Sequence, residues 1–342
     1  MAAPHQNTTV KNRKLDTRRT MDRFEAHNTD VSPGLTATGG MQSPSMWQGN
    51  ETTRSARPMD GTPWLSIVIP CFGRQEMLTG LLDQLCGQIG TRADVEVIVV
   101  DDGTSPPLKV RVRDTTLVKL LRHERPCGAP AARELGFRNA TGRFIHFHDS
   151  DDLLGHQWID AAVRAVRQTP APDLVVTSRL VMEPGGAVSF WHVRRLVEVA
   201  KTTARLRAYQ RFINRIGPLG GMIFSRRAAE AITFHRTAAS QDWLMYDDAL
   251  ASSEHVHFDD KNYFIFNKTQ TIRISNNARS RAKGYVFAAR ARFRSRRMRR
   301  FAARIYCAHG AGELAPVINV RHRWLKRIAC ELLARHPILA GR

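Results

Sequence analysis

No apolar run in the 342-residue chain approaches the ~18 residues that a membrane span requires. The amino terminus, Met-Ala-Ala-Pro-His-Gln-Asn-Thr-Thr, has neither the charged start nor the apolar stretch of a secretory signal. Both absences lead to the expectation of a cytoplasmic protein. Cysteine is scarce: the five (71, 86, 127, 307 and 330) are odd in number, widely spaced and contain no Cys-x-x-Cys pair. That excludes a disulfide framework and argues against a zinc site. Two nucleotide-binding loops are missing as well. There is no Gly-x-Gly-x-x-Gly after the first apolar strand and no Gly-x-x-x-x-Gly-Lys-Ser/Thr anywhere, so dinucleotide and phosphate-loop chemistry are not expected. Acidic residues are nearly absent from one region, since residues 277–342 hold two Glu against seventeen Lys and Arg.

That last shortage accounts for most of the formal charge of +21. Residues 277–342 contribute +15 and residues 1–63 contribute +2, which leaves +4 on the stretch between them. The body of the protein is nearly balanced, and the basicity belongs to the C-terminal region. Residues 1–63 are rich in Thr, Ser, Asn, Gly and Pro and poor in clustered apolar residues, so they read as a disordered segment.

From Trp64 the texture changes. Leu65–Pro70 and Val95–Val100 are short β-branched runs that suit buried strands, and further strands fit 117–121, 143–148, Asp173–Ser178 and Tyr263–Phe266. Helices fit 74–88, 129–140 (Pro130 in its first turn) and 156–167. Strands alternating with helices, and apolar on both faces, predict an α/β domain with a mainly parallel sheet flanked by helices. In such sheets ligands bind beyond the carboxyl ends of the strands. Pro70-Cys71-Phe72, Asp101-Asp102-Gly103 and Asp149-Ser150-Asp151-Asp152 all fall at those ends.

The last of these groups places three carboxylates within four positions. Either they cap the helix that follows, for which Asp and Ser are preferred, or they hold an oxygen-seeking divalent cation against a substrate phosphate. His146 and His148 precede them on the strand, where a hydrogen-bonded core role is the ordinary reading for histidine. Asp101-Asp102-Gly103-Thr104 taken alone is a common turn.

Taken together and in order, Ser-Ile-Val-Ile-Pro-Cys-Phe-Gly, Ile-Val-Val-Asp-Asp-Gly-Thr, the run from Ala132-Arg133 to Asp149-Ser150-Asp151-Asp152, and Gln241-Asp242-Trp243 resemble the family 2 glycosyltransferases of GT-A fold. The resemblance covers about 64–276 and implies an inverting, nucleotide-sugar-dependent enzyme with Mn²⁺ or Mg²⁺ as cofactor. It implies a donor site of Pro70, Phe72, Asp101, Asp102, Arg133 and Asp149, with Asp102 reading the base. It makes Asp151 the metal ligand with Asp149 beside it, and Asp152 then falls to capping. Asp242 matches the general base, with Asp247 a fallback. Gly220, Gly221, Gln241 and Trp243 fall on the acceptor side, although Gly217–Gly221 also suits a plain structural turn. UDP is the commonest donor nucleotide of the family, and hexosyl or N-acetylhexosaminyl transfer to a glycan or lipid-linked acceptor, in cell-envelope or exopolysaccharide synthesis, follows from the same resemblance.

The chain departs from the family's pattern at Gly73 and at Glu134, where Asn is usual, and at Gln241, where Glu is usual. The Gln-x-x-Arg-Trp motif of processive synthases is absent, so transfer of a single sugar is expected. Residues 277–342 form a basic, mostly helical extension. Phe287, Met298, Phe301 and Ile305 fall on one helical face over 286–305, and a second helix fits 317–335. A basic amphipathic helix suits an anionic membrane surface, which would make the protein peripheral on the inner face; a helical cover on the catalytic domain is the other reading. A non-catalytic relative of the same fold and a nucleic-acid-binding protein built on the Arg-rich tail are the competing functions. The second is disfavoured because interleaved exposed aromatics and recognition motifs are missing.

Overall fold

The computed structural model describes residues 61–112, 118–197, 200, 202–212, 214–237, 239–269 and 278–310. The disordered reading of the N-terminal segment and the helix expected at 317–335 therefore lie outside the described residues, apart from 61–63.

Strand β1 (Leu65–Cys71) is buried along its whole length and forms parallel ladders with β2 (Val95–Asp101) on one side and β4 (Phe144–Phe147) on the other. β3 (Val118–Arg122) extends the parallel set beyond β2. Beyond β4 the sheet turns mixed: β8 (Met222–Ser225) is antiparallel to both β4 and β6 (Leu174–Met182), and β9 (Val256–Asn267) is parallel to β6. The order is β3-β2-β1-β4-β8-β6-β9-β5, where β5 is Leu153–Leu154, and β7 (Val188–Trp191) pairs with β6.

Side chains alternate across a strand, so one short run feeds two cores. Leu65, Ile67 and Ile69 pack with Leu78, Leu81 and Leu85 of α1 (Gln75–Ile89) and with Trp158 and Val163 of α3 (Trp158–Val166). Val68, Ile98 and Val100 face the other way, onto Ala132 of α2 (Ala129–Asn139). The same second core takes in Leu206 of α5 (Thr203–Phe212) and Met245 and Tyr246 of α7 (Gln241–Ala251). Short helices α4 (Arg194–Val197) and α6 (Arg226–Glu230) lie between these elements in sequence. Last come α8 (Ala278–Arg292) and α9 (Arg296–Gly310). They pack on α7 through a small cluster of Trp243, Leu244, Ala288, Ala289 and Ala302.

Three expectations are corrected. The helix expected from 156 begins at Trp158, with Gln157 rather than an aspartate at its N-cap and no side-chain cap bond. Asp152 instead turns to β9, where its Oδ1 accepts from the Asn267 amide at 3.2 Å. The strand expected at Tyr263–Phe266 is longer: β9 starts at Val256 and takes in Asp259 and Asp260 at a bulge where the register with β6 shifts. In the basic region the single stripe expected over 286–305 is interrupted between Arg292 and Arg296. Phe287 and Phe301 are exposed, and alanines make the buried contact.

Candidate active site

The crevice is built at the carboxyl ends of β1, β2 and β4. Pro70 is buried in β1 and Phe72, just beyond the strand, is 55% exposed, which leaves an aromatic face open to a ligand. The Gly73 amide donates to Thr104 Oγ1 at 3.0 Å, tying the loop after β1 to the loop after β2.

The paired aspartates after β2 have different jobs. Asp101 is 1% exposed and accepts from the Thr104 amide (2.9 Å), the Leu108 amide (3.1 Å) and the Arg122 guanidinium. Its oxygens close the chain on itself. Asp102 holds the entry to α2: Oδ1 accepts from the Cys127 amide at 2.9 Å and contacts His123 Nδ1 at 2.8 Å, and Oδ2 accepts from the Gly128 amide at 2.7 Å. Asp102, His123 and Cys127 also bring possible metal-ligand atoms within 4.8 Å of one another. The carboxylate is already engaged by two amides and an imidazole, so the group reads as a loop clamp.

Arg133 ties three elements together. From α2 it donates to Asp149 Oδ1 beyond β4 and to Gln241 Oε1 at the start of α7, both at 2.6 Å. Gln241 then donates from Nε2 to the Thr237 carbonyl at 2.7 Å. A glutamate at 241 would set an oxygen against that carbonyl, whereas the amide satisfies both neighbours. Glu134, the other departure on α2, points elsewhere and pairs with Arg138 and Arg236, each at 2.8 Å. Asp151 is nearly buried and meets Arg74 at 2.9 Å.

Beneath these carboxylates lies a fully buried imidazole pair. His146 Nδ1 lies 2.9 Å from the Met222 carbonyl, so it carries the proton, and His146 Nε2 then accepts from His148 Nδ1 at 3.1 Å. Burial pushes both rings far down, His146 to about 3 and His148 to about 4, so neither is charged at neutral pH.

Asp242 sits in the first turn of α7. Oδ1 accepts from the Trp243 amide at 2.7 Å and Oδ2 from Asn214 Nδ2 at 3.4 Å. Burial raises its pKa to about 6, and the Asp149 charge adds to the rise; the Trp243 amide, Arg133 and Asn214 oppose it. A carboxylate at that value is a competent base near neutrality. Asp247 is not an alternative. Burial would push its pKa up, yet Arg292, Arg211 and Arg207 hold it below the usual carboxylate range, and Arg207 and Arg211 bind Oδ1 at 3.2 and 3.0 Å.

Of the acceptor-side residues, Gln241 reaches the crevice through Arg133. Trp243 is turned away, buried against the C-terminal helices. Gly220 and Gly221 lie in a buried 3-10 turn (Leu219–Gly221), and a Cβ on Gly220 would come within 2.5 Å of the Phe264 ring. Glycine there makes room for a core aromatic. Arg74, His123 and Asn214 were missed from the sequence. Arg74 stands directly after the first motif and could have been found; Asn214 lies in no motif at all.

Residues 66–233 match the model named "Glycosyl transferase family 2". Residues 66–233 belong to glycosyl transferase family 2. Asp242 lies just beyond the matched stretch. Among curated family relatives, the chain is 24% identical over 190 residues to glycosyltransferase AglE of Haloferax volcanii, covering 49% of this chain and 62% of that one. It is 33% identical over 91 residues to UDP-Glc:alpha-D-GlcNAc-diphosphoundecaprenol beta-1,3-glucosyltransferase WfgD of Escherichia coli, covering 26% and 35%. The chain thus spans less than two thirds of these relatives' lengths. The crystal structure of S. aureus TarS 1-349 with UDP-GlcNAc superposes with a TM-score of 0.52 at 14% identity, over 80% of this chain and 82% of that one. The fold is GT-A.

Proposed function

We propose that the chain is an inverting, metal-dependent glycosyltransferase that moves one hexosyl or N-acetylhexosaminyl unit from a UDP-sugar to a hydroxyl of a glycan or lipid-linked acceptor. Cell-envelope or exopolysaccharide synthesis is the setting this reading favours. The observation that carries it is the convergence on one sheet edge of the Asp102 cradle, the Arg133–Asp149–Gln241 bridge and Asp242 with its pKa near 6. Two similar proteins use the same donor class: WfgD is a UDP-Glc glucosyltransferase, and TarS has been crystallised with UDP-GlcNAc. The catalytic domain is taken as 64–276, and 277–342 as the basic extension.

In this reading Phe72 faces the nucleotide base, and Asp102 shapes its pocket by clamping the Cys127–Gly128 loop rather than by binding the base itself. The acceptor hydroxyl gives its proton to Asp242 as its oxygen attacks the anomeric carbon. The carbon–oxygen bond to the diphosphate breaks, and its electron pair leaves with the nucleoside diphosphate. One displacement inverts the anomeric centre. General-base assistance of this kind contributes ~10²–10⁴-fold. Asp149 and Asp151 suit a hard divalent cation, being carboxylate donors two residues apart beyond β4, with Arg133 and Arg74 beside them. When bound, Mn²⁺ or Mg²⁺ supplies charge stabilisation to the leaving diphosphate.

The test is transfer from a panel of nucleotide-sugars with Mn²⁺ or Mg²⁺. Turnover is expected with a UDP-sugar and should be lost on chelation and in Asp151→Ala. Turnover that survives both would overturn the metal assignment, and no transfer from any donor would overturn the enzyme reading.

A further inference from the structure

The C-terminal hairpin grips the helix that carries Asp242. α8 meets the chain just ahead of that helix: a Cβ on Gly284 would lie 2.6 Å from the Ala239 carbonyl oxygen. The next residue, Ser240, is the N-cap of α7 and has φ of 63°, a left-handed backbone that a serine keeps only where its surroundings hold it. At the far end of α8, the Arg292 side chain is 1% exposed. Its guanidinium carbon stands 4.5 Å from the centroid of the Trp243 ring, and the group donates to the Trp243 carbonyl and to the Arg211 carbonyl (3.4 Å). The Trp243 indole N–H donates to the Gln210 carbonyl. Trp243 is therefore held by its ring, its indole nitrogen and its carbonyl.

That grip reaches both oxygens of Asp242. One accepts from the Trp243 amide at 2.7 Å. The other accepts from Asn214 (3.4 Å), whose own Oδ1 is held by Gln210 Nε2 at 3.2 Å. We propose that Arg292 is a positioning residue: the C-terminal hairpin aims Asp242 through Trp243, so turnover depends on an arginine fifty residues beyond the base and outside the family match. This rests on Asp242 being the base. A planar fork that stacks on an indole while donating to two carbonyls is an arginine property that lysine does not share.

The experiment uses the full chain as Arg292→Ala, Arg292→Lys and Gly284→Ala, with Asp242→Asn in parallel. It reads kcat, donor KM, the pH profile and thermal melting. Misplacing a reacting group by ~1 Å costs up to about 10²-fold, so kcat should fall by about 10-fold or more in Arg292→Ala with donor KM nearly constant. Lysine should fail to restore it. The acidic limb of the profile should move upward, because a loosened Trp243 amide no longer favours the charged carboxylate. The other groups facing Asp242, namely Arg133, Asp149, Asn214 and Tyr246, are unchanged. An unaltered kcat and pH limb in Arg292→Ala overturns the proposal, as does full rescue by lysine. Should Arg292→Ala not fold, Gly284→Ala decides: a lower kcat at constant donor KM supports the proposal, and an unchanged kcat overturns it. Wild-type turnover in Asp242→Asn would instead sink the base assignment.

Discussion

Asp242 is a carboxylate placed where ionisation is disfavoured, and its chemistry follows from that. Burial raises its pKa to about 6 against an ordinary 3.8, so the folded chain binds this proton more tightly than the unfolded chain does. The sign follows: below about pH 4 the group is neutral in both states and costs nothing. Between about 4 and 6 its penalty to stability grows as pH rises, and above 6 it is fully present. Two outcomes are expected. Turnover should fall on the acid side with an apparent pKa near 6, and Asp242→Asn should melt higher than wild type at pH 7. A profile flat down to pH 5 would contradict the assignment. At this scale the sequence singled out Asp242, Arg133 and Asp149, because each stands in a motif, and the fold brings them near one another. The resemblance singled out Asp102 for the base, but only the loop around the pair shows that Asp101 is consumed by Thr104, Leu108 and Arg122.

At the scale of elements, the central strands were legible because both faces are apolar and each ends on a polar group. In the C-terminal region helical character over 286–305 was legible, but the break between Arg292 and Arg296 and the packing were not. Periodicity gives weight to large apolar residues such as Phe287 and Phe301, yet helices approach closely through small ones, and Gly284, Ala288, Ala289 and Ala302 form the contact. The exposed face of each helix keeps apolar side chains, Val286 and Phe287 (its ring edge-on to His235) on α8 and Phe301 on α9, beside Arg290, Arg297 and Arg300, with no acidic residue between 278 and 310. Among the described residues no helix is long and apolar enough to cross a membrane. We propose that this face rests on an anionic leaflet, where each nearby cation contributes ~1 kcal/mol. Flotation with vesicles containing anionic lipid should therefore fall when Arg290, Arg297 and Arg300 are changed to Gln, and should weaken with salt. Equal flotation of the two proteins would dismiss the membrane reading. Substitution is the better probe here, because truncation before α8 would uncover Trp243 and Leu244.

At the scale of the whole molecule, the mixed sheet is what makes a site out of distant motifs. The parallel set β3-β2-β1-β4 aligns the aspartates after β2 and β4, and α7 packs across the second core to bring Gln241 against Arg133. Motif order alone picked out these residues. It could not anticipate the bridge, because Arg133 and Gln241 are 108 residues apart and their contact depends on how β8 and α7 return the chain to the crevice. The central claim is that this crevice transfers a sugar with Asp242 as base. The most direct test compares wild type and Asp242→Asn on the UDP-sugar that proves active, measuring donor binding by calorimetry and turnover by nucleoside diphosphate release. The account predicts donor affinity within about twofold of wild type and turnover lower by ~100-fold or more. Equal turnover in the two proteins would contradict it.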